Sequence, residues 1–136
     1  NGLIAAGART SASALVLQNT VGSLLHGAST VPPTSGGNTT IGVVATDAVL
    51  TKNQAHRLAQ MGHNGLAQSI RPVHTPWDGD TLFALGTGTS GLPADMMLLS
   101  TLAAEVTAMA VLSAINHAKG LRLDSGEWWP SAQDLS

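Results

Sequence analysis

The chain has 136 residues, of which 43% are hydrophobic and only 10% charged, with a net charge of −2 and no cysteine. That length suits one modest domain with a real core. The slight negative charge argues against a nucleic-acid or anionic-membrane partner, and the absence of thiols excludes a disulfide framework and a thiolate metal site. So low a charged fraction predicts that much of the surface is covered by something else. No apolar run reaches about 18 residues without a polar interruption, so no membrane span is expected. The start lacks a basic n-region, so no signal peptide is expected and the cytoplasm is the default location.

Asn1 to Arg9 is small and apolar around Leu3 and Ile4, which suits a short strand. Thr10 to Gly27 fits neither the helical nor the strand period and reads as loop or short helix. Ala28 to Gly37 carries Pro32-Pro33 and Gly36-Gly37, the punctuation of an exposed linker. Thr40 to Thr46 then reads as a strand, with Ile41, Val43 and Val44 suited to burial. After a turn over Asp47 to Leu50, Thr51 can cap a helix running to about Ile70. Its inner face would be Ala55, Leu58, Ala59, Gly62, Leu66 and Ile70. Gly62 and Gly65 weaken a lone helix but permit tight packing on a sheet. Arg71-Pro72 ends it, Val73 to Asp80 is a polar loop, and Thr81 to Thr87 is a second strand. Gly86 to Gly91 is a loop. Pro93 suits the first turn of a second helix, with Asp95 at its positive end and Gly120 as its stop. That helix is apolar nearly all round and is expected to be buried. Leu121 to Ser136 reads as an irregular tail stapled by Trp128 and Trp129. The order strand, helix, strand, helix makes an α/β unit.

One stretch invites a chemical reading. Gly36 and Gly37 let the chain bend sharply, Asn38-Thr39 follows, and the strand leads away. A hydroxyl held there can attack the peptide bond before it. Thr39 is then left with a free α-amine and a free hydroxyl, and the amine serves as base for its own nucleophile. Equally, these residues are a loop feeding a strand. Thr40 is a rival nucleophile, and adjacent residues of a strand point to opposite faces, so only one can face a cleft. Asp78 and Asp80 flank Gly79 before the second strand. Two carboxylates so close repel, so at least one must find a donor or take a raised pKa; an Asp-Gly turn is the simpler account. His74, Asp78 and Asp80 could be read as a zinc cluster, but no metal or other cofactor is expected. His56 and His63, seven apart on one helix face, read as solvated or satisfied side chains. Gly86-Thr87-Gly88 lacks the Lys of a phosphate-binding loop and reads as a turn.

The two stretches Asn38-Thr39-Thr40-Ile41-Gly42-Val43-Val44-Ala45-Thr46-Asp47-Ala48 and Pro76-Trp77-Asp78-Gly79-Asp80-Thr81-Leu82-Phe83-Ala84-Leu85 resemble the DmpA-type aminopeptidase family. That family includes L-aminopeptidase/D-esterases, β-peptidyl aminopeptidases and nylon-oligomer hydrolases; the Thr junction and the Asp-Gly-Asp-Thr segment look most like the last branch. The resemblance is dense from Gly37 to Thr87, and Asn1 to Arg9 is similar to the end of the family's larger subunit. It implies part of a layered α/β/β/α sandwich, with helices outside two central sheets, a fold shared with ornithine acetyltransferases. It also implies self-cleavage between Asn38 and Thr39, so that residues 1–38 end the larger-subunit segment and residues 39–136 form the smaller catalytic subunit. Thr39, and not Thr40, is then the nucleophile, oriented by Asp78 and Asp80. Family members are longer than this chain, which looks like their C-terminal portion. The family's oxyanion donors, a Lys and an Asn, would come from the part before Asn1. The expected partners are that larger upstream subunit, a small peptide or amide substrate, and further copies in a homo-oligomer. The reaction implied is amide hydrolysis through an acyl-enzyme. The alternatives are an acyltransferase that passes the acyl group to ornithine, and an uncleaved non-enzymatic module.

Overall fold

The computed structural model describes residues 4–11, 13–28 and 38–135. Along these the elements are α1 (Thr20–Leu25), β1 (Ile41–Thr46), α2 (Lys52–Ser69), β2 (Thr81–Gly86), α3 (Met96–His117), β3 (Leu121–Arg122), β4 (Trp128–Trp129) and a 3₁₀ turn at Ala132–Asp134. They fall into two compact units, Val31–Ala110 and Asn1–Thr30 with Val111–Ser136. The linker residues Pro32, Pro33, Gly36 and Gly37 lie outside the described residues.

In the first unit β1 and β2 pair in parallel, from Ile41 opposite Thr81 to Thr46 opposite Gly86, and α2 makes the crossover between them. Parallel neighbours require such a connection. The start of α2 is set by a reciprocal cap. The Thr51 hydroxyl accepts from the Gln54 N–H and the Gln54 side chain accepts from the Thr51 N–H, which satisfies two donors the helix would otherwise orphan. Of the expected inner face Leu58, Gly62 and Leu66 are buried, joined by Gly65, while Ala55, Ala59 and Ile70 are half-buried. Val44, Leu58 and Ala103 form the centre of the core, with Leu50, Met61, Ala84 and Leu99 packed round it. At Gly65, α2 and α3 approach closely. A Cβ there would collide with the Ala104 carbonyl and lie 2.6 Å from Thr107 Cβ. This is the expected α/β architecture, helices flanking small sheets, and it fits the layered sandwich.

Several expectations are corrected. The strands are buried on one face only. Val44 and Leu82 point to α2, while Ile41, Val43, Phe83 and Leu85 on the other face are exposed, Ile41 by 72%. An alternating strand buries one side per covering layer, and among the described residues nothing covers the second. Helix α3 begins at Met96, not at Pro93. Pro93 instead bridges to Val49, and the Asp95 carboxylate caps the helix by accepting from the N–H groups of Met97 and Leu98. Nor is α3 buried all round: only Ala103, Ala104 and Thr107 are, and Met97 is 82% exposed. By length and composition α3 could cross a membrane, with a mean hydropathy of 1.8, its apolar run interrupted by Ser100, Thr101, Glu105 and Thr107. Its Ala103–Thr107 edge nevertheless closes on α2, and Glu105 stands midway, a charge that would be costly in a bilayer. The helix is therefore read as one that packs against protein.

In the second unit Asn19 caps α1 through its side-chain oxygen, which accepts from the Gly22 N–H at 2.9 Å. The stretch before it is no strand from residue 4 onward; Arg9 makes a single bridge to Leu17. The tail is ordered, unlike its expected form. β3 and β4 pair antiparallel, Arg122 lies 5.6 Å over the Trp128 ring, and the Asp134 carboxylate accepts from both the N–H and hydroxyl of Ser131. Trp129 is more than half exposed, so that side chain does not staple the tail to a core.

Candidate active site

The two stretches singled out by sequence lie side by side. The β1–β2 ladder continues backwards beyond both strands: Thr81 N–H donates to the Thr40 carbonyl at 2.8 Å and Gly79 N–H donates to the Asn38 carbonyl at 3.0 Å. Residues 38–40 are thereby aligned against residues 79–81. Thr39 is exposed at the mouth of β1. Its hydroxyl sits over Gly79, where an added Cβ would lie 2.8 Å from Thr39 Oγ1. Only a residue without a side chain admits the hydroxyl there.

The acids flank that point with different partners. Asp78 closes its own turn. Its carboxylate accepts from the Thr75 N–H at 2.7 Å, and its N–H donates back to the Thr75 carbonyl at 3.0 Å. The turn spans residues 75–78 and ends at Asp78, so it is not the turn on the Asp78-Gly79 pair that the sequence suggests. Asp80 reaches across to the other stretch: Oδ1 accepts from the Thr40 N–H at 2.8 Å. Its Oδ2 accepts from His74 twice, from the backbone N–H at 3.3 Å and from ring Nδ1 at 2.8 Å. The Asp80 side chain is only 6% exposed. Burial alone would raise its pKa, but the hydrogen bonds from Thr40 and His74 outweigh that and hold it below the ordinary carboxylate value. Asp80 is therefore a fixed anion. Among the described residues neither carboxylate bonds to the Thr39 side chain. The donor expected for the pair, a Thr39 amine, is replaced in the continuous chain by Thr40, Thr75 and His74.

His74 is the residue the sequence reasoning undervalued. In sequence it reads as a zinc ligand beside Asp78 and Asp80, but no three histidine or acidic side chains among the described residues converge as a metal set. Instead its Nε2 lies 3.3 Å from His63 Nδ1, with the rings 4.8 Å apart and tilted by 59°. His63 was paired by spacing with His56, whose ring bonds Gln60 instead. The one local signal was the polar His74-Thr-Pro sequence six residues before Asp80; nothing in spacing shows that His74 adopts φ +54°.

The arrangement is a hydroxyl on a strand terminus, a glycine beneath it, an anion bound to the next peptide unit, and solvent above. It can hold a nucleophile and stabilise positive charge beside it. Known proteins resemble part of this chain. An uncharacterized aminopeptidase of Mycobacterium tuberculosis is 46% identical over 77 residues, 57% of this chain and 22% of that protein. One from Mycobacterium leprae is 49% identical over 84 residues, 57% of this chain and 23% of its own length. A 6-aminohexanoate-oligomer endohydrolase of Paenarthrobacter ureafaciens is 41% identical over 64 residues, 46% of this chain and 18% of its own length. The chain thus spans less than a quarter of the length of each of these relatives. Peptidase family S58, whose sequence pattern matches residues 3–128, is the family to which this chain belongs.

Proposed function

We propose that this chain is the nucleophile-bearing portion of a self-processing amide hydrolase in which Thr39 acts as N-terminal nucleophile. The observation that carries the reading is the seat of the Thr39 hydroxyl over Gly79, the residue that Asp78 and Asp80 flank in the chain, at the end of a ladder that holds both flanking peptide units. In processing, Thr39 Oγ1 attacks the Asn38 carbonyl carbon and the Asn38–Thr39 C–N bond breaks. The nitrogen takes the hydroxyl proton, and the acyl group rests on Oγ1 as an ester. Water hydrolyses the ester and leaves Thr39 with a free amine. In turnover that amine takes the hydroxyl proton as Oγ1 attacks a substrate amide, the proton passes to the leaving amine, and water releases the acyl-enzyme. Asp80 keeps Thr40 in place and, with Asp78, provides negative charge beside the new ammonium.

The substrate class is a short peptide, an amino-acid amide or a linear ω-amino-acid oligomer. The printed names of the relatives, aminopeptidases and an oligomer endohydrolase, share the amide bond. In this reading residues 1–38 end a larger subunit and residues 39–136 are the smaller one. The larger subunit contributes oxyanion donors. It and further copies cover the exposed apolar faces of α3 and of the β1–β2 sheet, which supports an assembly.

The test is the intact mass of protein made from the complete gene. Wild type should be cut between Asn38 and Thr39. Thr39→Ala should remain one chain and hydrolyse no amide. Normal processing of that variant would remove Thr39 from the role.

A further inference from the structure

We propose that His74 is a positioning residue for this site, acting through Asp80, with His63 bracing its ring; the inference rests on the amide-hydrolase reading above. The Asp80 carboxylate divides its work. Oδ1 serves Thr40, the residue after the nucleophile, and Oδ2 receives two donors from His74 alone. A carboxylate has two in-plane oxygens and no freedom to keep both sets of bonds if it rotates. Holding Oδ2 therefore aims Oδ1 at the Thr40 N–H. This adjusts Thr39 without touching it.

The protonation pattern is dictated by the partners. An ionised carboxylate only accepts, so His74 Nδ1 carries a hydrogen. In the neutral ring Nε2 is then an acceptor, and His63 Nδ1–H at 3.3 Å supplies the donor. If His74 gains a proton, Nε2 donates to a His63 that has changed tautomer, and the Asp80 bond survives. The array Thr40–Asp80–His74–His63 keeps its geometry in either charge state. A second, independent observation supports the assignment. His74 is the one described residue other than glycine with positive φ, at +54°. Residues with a Cβ are disfavoured there. Among the described residues this backbone shape is what directs both the N–H and Nδ1 of one residue at one oxygen. Strain of this kind collects where geometry is being enforced.

The experiment uses the complete gene product and two variants that both tolerate positive φ. His74→Asn keeps an N–H donor near the position of Nδ1; His74→Gly keeps the backbone and removes the donor. His74→Gly should lower kcat by about 10- to 100-fold, the scale of a misaligned reacting group, with KM within about twofold. His74→Asn should recover most of that loss. Equal losses in the two variants, or full turnover in His74→Gly, would overturn the proposal. A second readout needs no activity. In ¹⁵N-histidine spectra of Thr39→Ala, neutral His74 should be the Nδ1–H tautomer, and adding Asp80→Asn should abolish that preference. An Nε2–H tautomer would refute the proposal even in an active enzyme. The expected tautomer alongside a wild-type protein that cleaves no amide would instead sink the functional reading and leave the array standing.

Discussion

Replacing Gly65 with Ala pits helix propensity against packing. Within α2 alone the change should help, because Ala is better than Gly in a helix interior by about 1 kcal/mol. The surroundings oppose it. The new Cβ would strike the Ala104 carbonyl and lie 2.6 Å from Thr107 Cβ and 2.9 Å from the Ala108 nitrogen. Two of these atoms are backbone. The third belongs to a stiff, β-branched side chain whose hydroxyl donates to the buried Ala103 carbonyl at 2.7 Å. None can swing aside, so α3 must retreat by about 1 Å to restore ordinary contact near ~3.5 Å. Ala103 then loosens from Val44 and Leu58. Overpacking that moves backbone belongs at the upper end of the usual ~1–3 kcal/mol. Less the propensity gain, the net loss is about 2 kcal/mol. Gly62→Ala is the control. Its Cβ would meet Leu82 Cδ1 at 2.8 Å, the end of a flexible side chain, with Val44 Cγ2 at 3.2 Å and Thr107 Oγ1 at 3.4 Å and no backbone atom among them, so its net cost should stay below that of Gly65→Ala. Denaturant unfolding of the complete gene product, read as a shift in midpoint at constant slope, measures both. If Gly65→Ala matched or exceeded wild type, or if Gly62→Ala were the worse variant, the close helix approach would be refuted.

Three further outcomes test the site. Gly79→Ala, with its Cβ 2.8 Å from Thr39 Oγ1, should displace the hydroxyl and cut self-processing and kcat by up to about 100-fold, with little change in melting; normal processing would mean the hydroxyl does not use this seat. Asp80 has a folded pKa below its ordinary 3.8, so its stabilising effect is complete above that value and is lost as pH falls through the lower folded value. The Tm gap between wild type and Asp80→Asn should therefore be constant near neutrality and shrink in that acid window, and a gap that widened there would reverse the assignment. Activity should rise with pH on a limb between about pH 6 and 9 set by the Thr39 amine, and prolonged EDTA treatment should leave turnover intact. Activity lost to EDTA and restored by zinc would overturn the N-terminal-nucleophile reading.

Local signals carried much of this fold. The boundaries of α2 were legible because Thr51 and Gln54 form a cap and the apolar spacing has one direction. β1 and β2 were legible from short β-branched or apolar runs between turns. The surroundings of α3 were not. A helix apolar on every side gives no hint of which side meets protein, and its buried edge is made of Ala103, Ala104 and Thr107 instead of its larger residues. The β3–β4 pair is two residues long on each strand, too short for any period. At the site, the neighbourhood of Thr39 with Asp78-Gly79-Asp80 was anticipated through the family likeness, whose role assignments remain proposals. The partners of the acids were not, because they depend on a left-handed histidine and on backbone N–H groups that no side-chain pattern announces.

The ladder leading into β1 has a consequence for what happens to a chain cut after Asn38. The attachments on the two sides of that bond are unequal. Downstream, Thr40 is moored at both ends of its backbone, N–H to Asp80 and carbonyl to Thr81, and the whole of β1 follows in register. Upstream, the described tether is the single bond from Gly79 to the Asn38 carbonyl. A fresh terminus at Thr39 would thus stay berthed, while among the described residues next to the cut Asn38 is held by one hydrogen bond, worth only about 0.5–1.5 kcal/mol net. The opening that admits a substrate would be made by the release of the product of the first cut.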